Sequence, residues 1–140
     1  MLNRRILRMK LFKAVYCYAE NQGMTLKEVE ALMETSCEAA RDLYLFLLSL
    51  VGPLTAEARS RIEAARSKFR PTEEELNPNL RFVENGITPL LTQDPDFTKI
   101  ISKKKFSWEQ YDVFLRHLYE RIRDRKYFKE YMEKEESGLE

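Results

Sequence analysis

Arginine and lysine gathered on one helix face can neutralise phosphates, and a guanidinium group can also stack on an unpaired base or bond its edge. Five basic residues open this chain, Arg4, Arg5, Arg8, Lys10 and Lys13, all before the first acid, Glu20. On a helix turning about 100° per residue, Arg4, Arg5 and Arg8 share an arc of about 100°, while Lys10 and Lys13 fall on a different flank. Three guanidinium groups at a helix N-terminus oppose the macrodipole, at a cost of roughly 0.3 to 1 kcal/mol each at low salt. That cost needs a use. Two uses stay open at this stage: contacts to RNA, or salt bridges to acids of a neighbouring helix in the stretch from Glu28 to Glu38.

The other reactive residues have ordinary explanations. His117 is the single histidine, set between Arg116 and Leu118 with no Ser or Cys signature to accompany it as a general base. The carboxylates cluster in helix first turns, as in Glu73-Glu74-Glu75, where the dipole favours them. No glycine-rich phosphate loop and no Cys/His spacing suited to zinc occurs, so the expectation is a protein that is not an enzyme and needs no cofactor or metal. Lys103-Lys104-Lys105 reads as a solvated linker before a helix, and Arg116, Arg121, Arg123, Arg125 and Lys126 are interleaved with Glu120, Asp124 and Glu130. The stripe Trp108, Tyr111, Phe114 and Tyr119 has a helical period and reads as core.

Whole-chain properties bound the class. With 140 residues, a single domain with a real core is the prior. Lys plus Arg number 24 against 23 for Asp plus Glu, so anion binding must come from local clustering, not net charge. Cys17 and Cys37 sit among apolar neighbours and form no disulfide framework, which fits a reducing, cytoplasmic location. The N-terminus lacks the apolar core of a signal peptide, and the longest apolar run, Leu43 to Leu48, is too short to cross a bilayer. A soluble protein with no membrane partner is expected.

Strand alternation is absent, and four Ser/Thr-x-x-Glu/Gln boxes mark helix starts: Thr25 with Glu28, Thr35 with Glu38, Thr72 with Glu75, Ser107 with Gln110. An all-α multi-helix bundle of about five to seven helices follows. The first helix is expected over Asn3 to Ala19, ending at a left-handed Gly23, with apolar faces Leu7/Leu11/Ala14/Val15/Tyr18 and Leu2/Ile6/Met9/Tyr16 gripped from two sides. A second runs from Thr25 to about Glu34. A third starts near Thr35 and is kinked or ended by Gly52-Pro53. A polar helix covers Thr55 to Phe69, turns dominate Pro71 to Gln93, and Asp94-Pro95-Asp96 is a turn before one helical turn at Phe97 to Ile101. The last strong seam is Trp108, Tyr111, Leu115, Leu118 and Ile122, with Tyr127, Phe128 and Tyr131 extending it or forming a short final helix. Residues 1–136 read as one domain and 137–140 as a disordered tail, in which Leu139-Glu140 resembles a vector-derived pair ahead of a purification tag.

The order Arg4-Arg5-x-x-Arg8, followed by an apolar stretch to Val15-Tyr16, resembles the opening helix of the NusB family of bacterial transcription antitermination factors. There an Arg-Arg-x-Ala-Arg start leads to Gln-x-Leu-Tyr; here Leu7 stands for the alanine and Lys13 for the glutamine. Asp42-Leu43-Tyr44-Leu45-Phe46-Leu47-Leu48, Asn77-Pro78-Asn79-Leu80-Arg81-Phe82 and Tyr127-Phe128-Lys129-Glu130-Tyr131 are similar to the N-terminal half of the long NusB-like proteins of Bacteroidetes-type bacteria, in which a typical C-terminal bundle follows. The resemblance implies an all-helical, non-catalytic protein that binds the boxA element of nascent ribosomal RNA. It also implies two partners, the small-subunit ribosomal protein called NusE and the RNA polymerase antitermination complex. By resemblance Arg4, Arg5 and Arg8 are RNA contacts, Lys13 occupies a motif position, and Lys10 joins them only as a nearby base. The alternatives are a protein-interaction or homodimerisation scaffold without RNA affinity, and the NusB-like domain of ribosomal RNA methyltransferases, whose glycine-rich cofactor motifs this chain lacks.

Overall fold

A computed structural model of the chain describes residues 3–134. Among these the structure is all-α, with eight helical segments and no strand. They are α1 (Arg4–Glu20), α2 (Leu26–Leu48), α3 (Val51–Arg66), the single turn α4 (Glu73–Leu76), α5 (Ile87–Gln93), α6 (Pro95–Lys104), α7 (Asp112–Arg123) and α8 (Lys126–Glu133). With α4 set aside as one turn, the expected five to seven helices are present. Leu139-Glu140 and the proposed tail lie outside the described residues.

The described residues fall into two compact units, one ending at Leu47 and the other beginning at Leu48. The first is a helical hairpin. Asn3 caps α1 by accepting the Ile6 N–H at 2.9 Å, and Asn21 closes it with its N–H on the Cys17 carbonyl at 3.1 Å. Gly23 is not left-handed: no glycine among the described residues has positive φ. A two-residue turn and the Thr25–Glu28 capping box do its work instead, the Thr25 N–H reaching Glu28 Oε2 at 2.7 Å.

The expected break between the second and third helices does not occur. Thr35 sits inside α2, which runs 23 residues without interruption. A capping pattern only starts a helix where the chain has already left one, and Glu34-Thr35-Ser36 holds no glycine or proline to force it out. Gly52-Pro53 likewise opens a helix: α2 ends at Leu48, Ser49-Leu50 turn, and Pro53 lies in the first turn of α3, where its missing N–H leaves no intrahelical bond unmade. By length and composition, the helical run Leu26–Arg66 is apolar enough to cross a membrane, which the count of uninterrupted apolar residues did not register.

The second unit packs α3 against α4, α5 and α7, α5 against α6, and α7 against α8. Its core is Leu54 and Ala58 of α3, Val83, Trp108, Leu115 of α7 and Phe128 of α8. Thr55, buried beside them, is satisfied by the Val51 carbonyl at 2.9 Å and the Thr88 hydroxyl at 3.0 Å. Phe82, Tyr119 and Phe128 form an aromatic cluster with centroids 5.3 to 6.4 Å apart. Ser107 does not form the expected box with Gln110. Its hydroxyl accepts the Glu109 N–H at 3.2 Å, a 3-10 turn covers Glu109–Tyr111, and α7 starts only at Asp112. Of the aromatic stripe read as core, Trp108 is buried and Tyr119 half-buried, whereas Tyr111 and Phe114 are exposed.

Asp94-Pro95 begins a full helix, with Asp94 accepting the Phe97 N–H at 2.6 Å and proline at the first position. Lys103 and Lys104 close α6, and Lys105 is its left-handed cap with φ 54°. The triple lysine is therefore no linker. It lies at a helix C-terminus, where the dipole favours cations.

Candidate nucleic-acid interface

Burial along α1 follows one stripe. Ile6, Lys10, Ala14 and Cys17 are buried or half-buried, and their spacing of four, four and three keeps them on the side facing α2. Lys10 belongs to this inner stripe: its ammonium donates to the Ser36 carbonyl at 2.6 Å and to the Ser36 hydroxyl at 2.7 Å. The expected grip from two sides is not formed. Leu7, Met9, Leu11, Val15, Tyr16 and Tyr18 are all exposed, because a single partner helix covers only one stripe.

Arg4, Arg5, Arg8 and Lys13 are exposed. None of them forms an ion pair with a described residue, so the salt bridges to the Glu28–Glu38 stretch are not made. Lack of a partner does not by itself distinguish the three arginines, since Arg121 and Arg125 also have no ion pair. Of the pairing expected among Arg116 to Glu130, Arg123–Asp124 at 3.5 Å and Lys126–Glu130 at 3.2 Å are present, while Arg116 pairs with Asp112 at 3.1 Å and Glu120 with Arg61 at 3.0 Å, which also holds Glu57 at 2.7 Å. The two carboxylates raise the affinity of Arg61 for its proton, the Glu57 bond most of all.

Two exposed aromatic rings lie along the same arc as the three arginines. Phe12 and Tyr16, one turn apart, stack with ring centroids 6.4 Å apart and planes 24° from parallel. They are 71% and 57% exposed. At about 100° per residue they continue the arc of Arg4, Arg8 and Arg5, away from the inner stripe, and the surface from Arg4 to Tyr16 is about 18 Å long. Tyr16, expected on a covered apolar face, is exposed, and Phe12 belongs to neither expected face. A helical wheel sets both rings on the line of the arginine arc, and only their exposure shows that this arc is uncovered.

A guanidinium cluster beside exposed aromatic rings can meet a strand by two means at once, charge on phosphates and stacking on bases. Lys13 lies on the adjacent flank of the same exposed side, whereas Lys10 is occupied by Ser36. The other titratable candidate, His117, is exposed on α7 in the second unit.

No protein-family model matches the chain, and neither the curated proteins nor the solved structures contain a match to it.

Proposed function

We propose that this chain is the RNA-binding module of a NusB-like transcription antitermination factor, contacting boxA-type single-stranded ribosomal RNA through α1. The observation that carries the RNA part is the exposed surface on which Arg4, Arg5 and Arg8, without ion pairs, adjoin the stacked Phe12 and Tyr16. The NusB-like part rests on the sequence motif, and with it go a cytoplasmic location, a non-catalytic role, and assembly with NusE and the transcribing polymerase. Titration of a labelled boxA RNA at several salt concentrations tests it. Wild type should bind with a steep salt dependence. The Arg4→Ala/Arg5→Ala/Arg8→Ala variant should flatten the log-log slope by roughly 0.7 for each lost phosphate contact on a single strand. Equal affinity and slope for the two proteins would remove the role assigned to α1.

A second reading, a protein-interaction scaffold, is favoured by the exposed apolar side chains of the hairpin, among them Leu11 and Val15 on α1 and Leu26 on α2. They border a groove with Val29 and Met33, flanked by Glu30 and Glu34. Sedimentation over a wide concentration range decides whether that surface is used between copies: a strict monomer argues against self-association.

A further inference from the structure

The second unit contains an open cavity of about 630 Å³ between α3, α5, α6 and α7. Its size lies within the roughly 300–1,000 Å³ typical of ligand pockets. Trp108 and Leu115, both buried, and the half-buried Leu91, Phe97, Ile101 and Phe106 give it an apolar lining. Native cores rarely leave so much apolar wall uncovered.

The polar groups around it define what can enter. Thr92 and Thr98 spend their hydroxyls on the Thr88 and Asp94 carbonyls, Thr88 bonds Thr55 and Asn85, and Ser49 accepts the Trp108 indole N–H at 3.0 Å. The charged side chains on the lining are Glu57, Glu109, Asp112 and Arg116. Arg116 is matched by Asp112 and Glu57 by Arg61, while the Glu109 carboxylate has no ion pair or hydrogen bond among the described residues. Negative charge is therefore in excess at the opening. This unmatched carboxylate favours a cation over a phosphate or an acid, and the rest of the lining is mainly apolar.

We propose that this cavity docks a basic amphipathic helix of a partner protein, which inserts large apolar side chains spaced one turn apart and sets lysine or arginine against Glu109. Helices are held in apolar pockets by anchors that supply affinity and by charge at the rim that selects the partner, here the single unmatched Glu109. The site is independent of the RNA contacts assigned to α1.

Trp108 is the only tryptophan, so its emission reports occupancy in the full chain without a label. The probe is a helical peptide of about four turns with leucine one turn apart on one face and lysine beside it. A matched peptide carries glutamate for lysine. The lysine peptide should shift Trp108 emission saturably, and the glutamate peptide should bind roughly 2- to 5-fold more weakly. Ala56→Phe, at an exposed α3 position on the lining, should abolish the shift by filling the cavity while the helical circular dichroism stays unchanged. Glu109→Lys should weaken binding roughly 2- to 5-fold, the range of an exposed ion pair. Should Ala56→Phe fail to fold, the exposed Glu109→Lys change carries the test alone. Equal binding of both peptides, no response to the lysine peptide, unchanged binding by Glu109→Lys, or an emission shift with protein concentration alone would each overturn the proposal, the last by showing that a second copy fills the cavity.

Discussion

Glu28 shows how single side chains hold this fold at its helix starts. Its carboxylate accepts the backbone N–H of Thr25, then the Thr25 hydroxyl, and these bonds hold its pKa below the usual carboxylate range. Glu75 is lowered likewise, first by Lys68 and then by the Thr72 N–H. A carboxyl that binds its proton less tightly when folded stabilises the fold above its ordinary pKa, and the contribution is lost as pH falls through the lowered value. Wild type should therefore melt above Glu28→Gln at neutral pH, and the gap should close in acid below the carboxylate range. Thermal melts at several pH values check this. Tyr119 shifts the other way, its phenol raised chiefly by burial despite the Arg61 guanidinium 5.4 Å above the ring. Its contribution is complete below the ordinary tyrosine range and lost as pH rises through the raised value. At this scale the sequence was informative where partners lie three or four residues apart, as with Thr25–Glu28 and Thr72–Glu75. It was silent on Lys10, whose acceptor Ser36 is 26 residues away.

Helix identity was legible from periodicity, while helix boundaries depended on which local signal prevailed. The box at Thr35 lost to the continuity of α2, and proline at position 53 began a helix where interruption was expected. Both outcomes follow from position: a proline costs most where an N–H would have been used, and the first turn uses none. Ala58 marks the strictest packing requirement on α3. Its methyl group is 0% exposed on the helix that packs against α7. Ala58→Leu would force extra methylenes into this contact, at a cost of about 1–3 kcal/mol. Urea unfolding should show a lower midpoint with an unchanged slope, since the surface exposed on unfolding stays nearly the same.

Across the whole molecule, charge is nearly balanced, and any recognition of RNA depends on local clustering rather than net charge. That much was evident from composition. The location of the arginine surface was evident too, but its aromatic extension needed burial data, since a wheel alone cannot say which of two apolar arcs is covered. The covered arc has one polar member, the Lys10 ammonium on Ser36, and small apolar contacts at Ala14 and Cys17 discriminate poorly between neighbouring alignments of the hairpin. Sliding one helix by a turn would displace its side chains by about 5.4 Å, far enough to separate the ammonium from both oxygens. The two Lys10 bonds therefore favour one register of the hairpin, and with it one height of the arginines along α2. Lys10→Met should keep the helical content but speed amide hydrogen exchange along α1, as the hairpin samples shifted alignments. Unchanged exchange would assign that alignment to the apolar contacts alone.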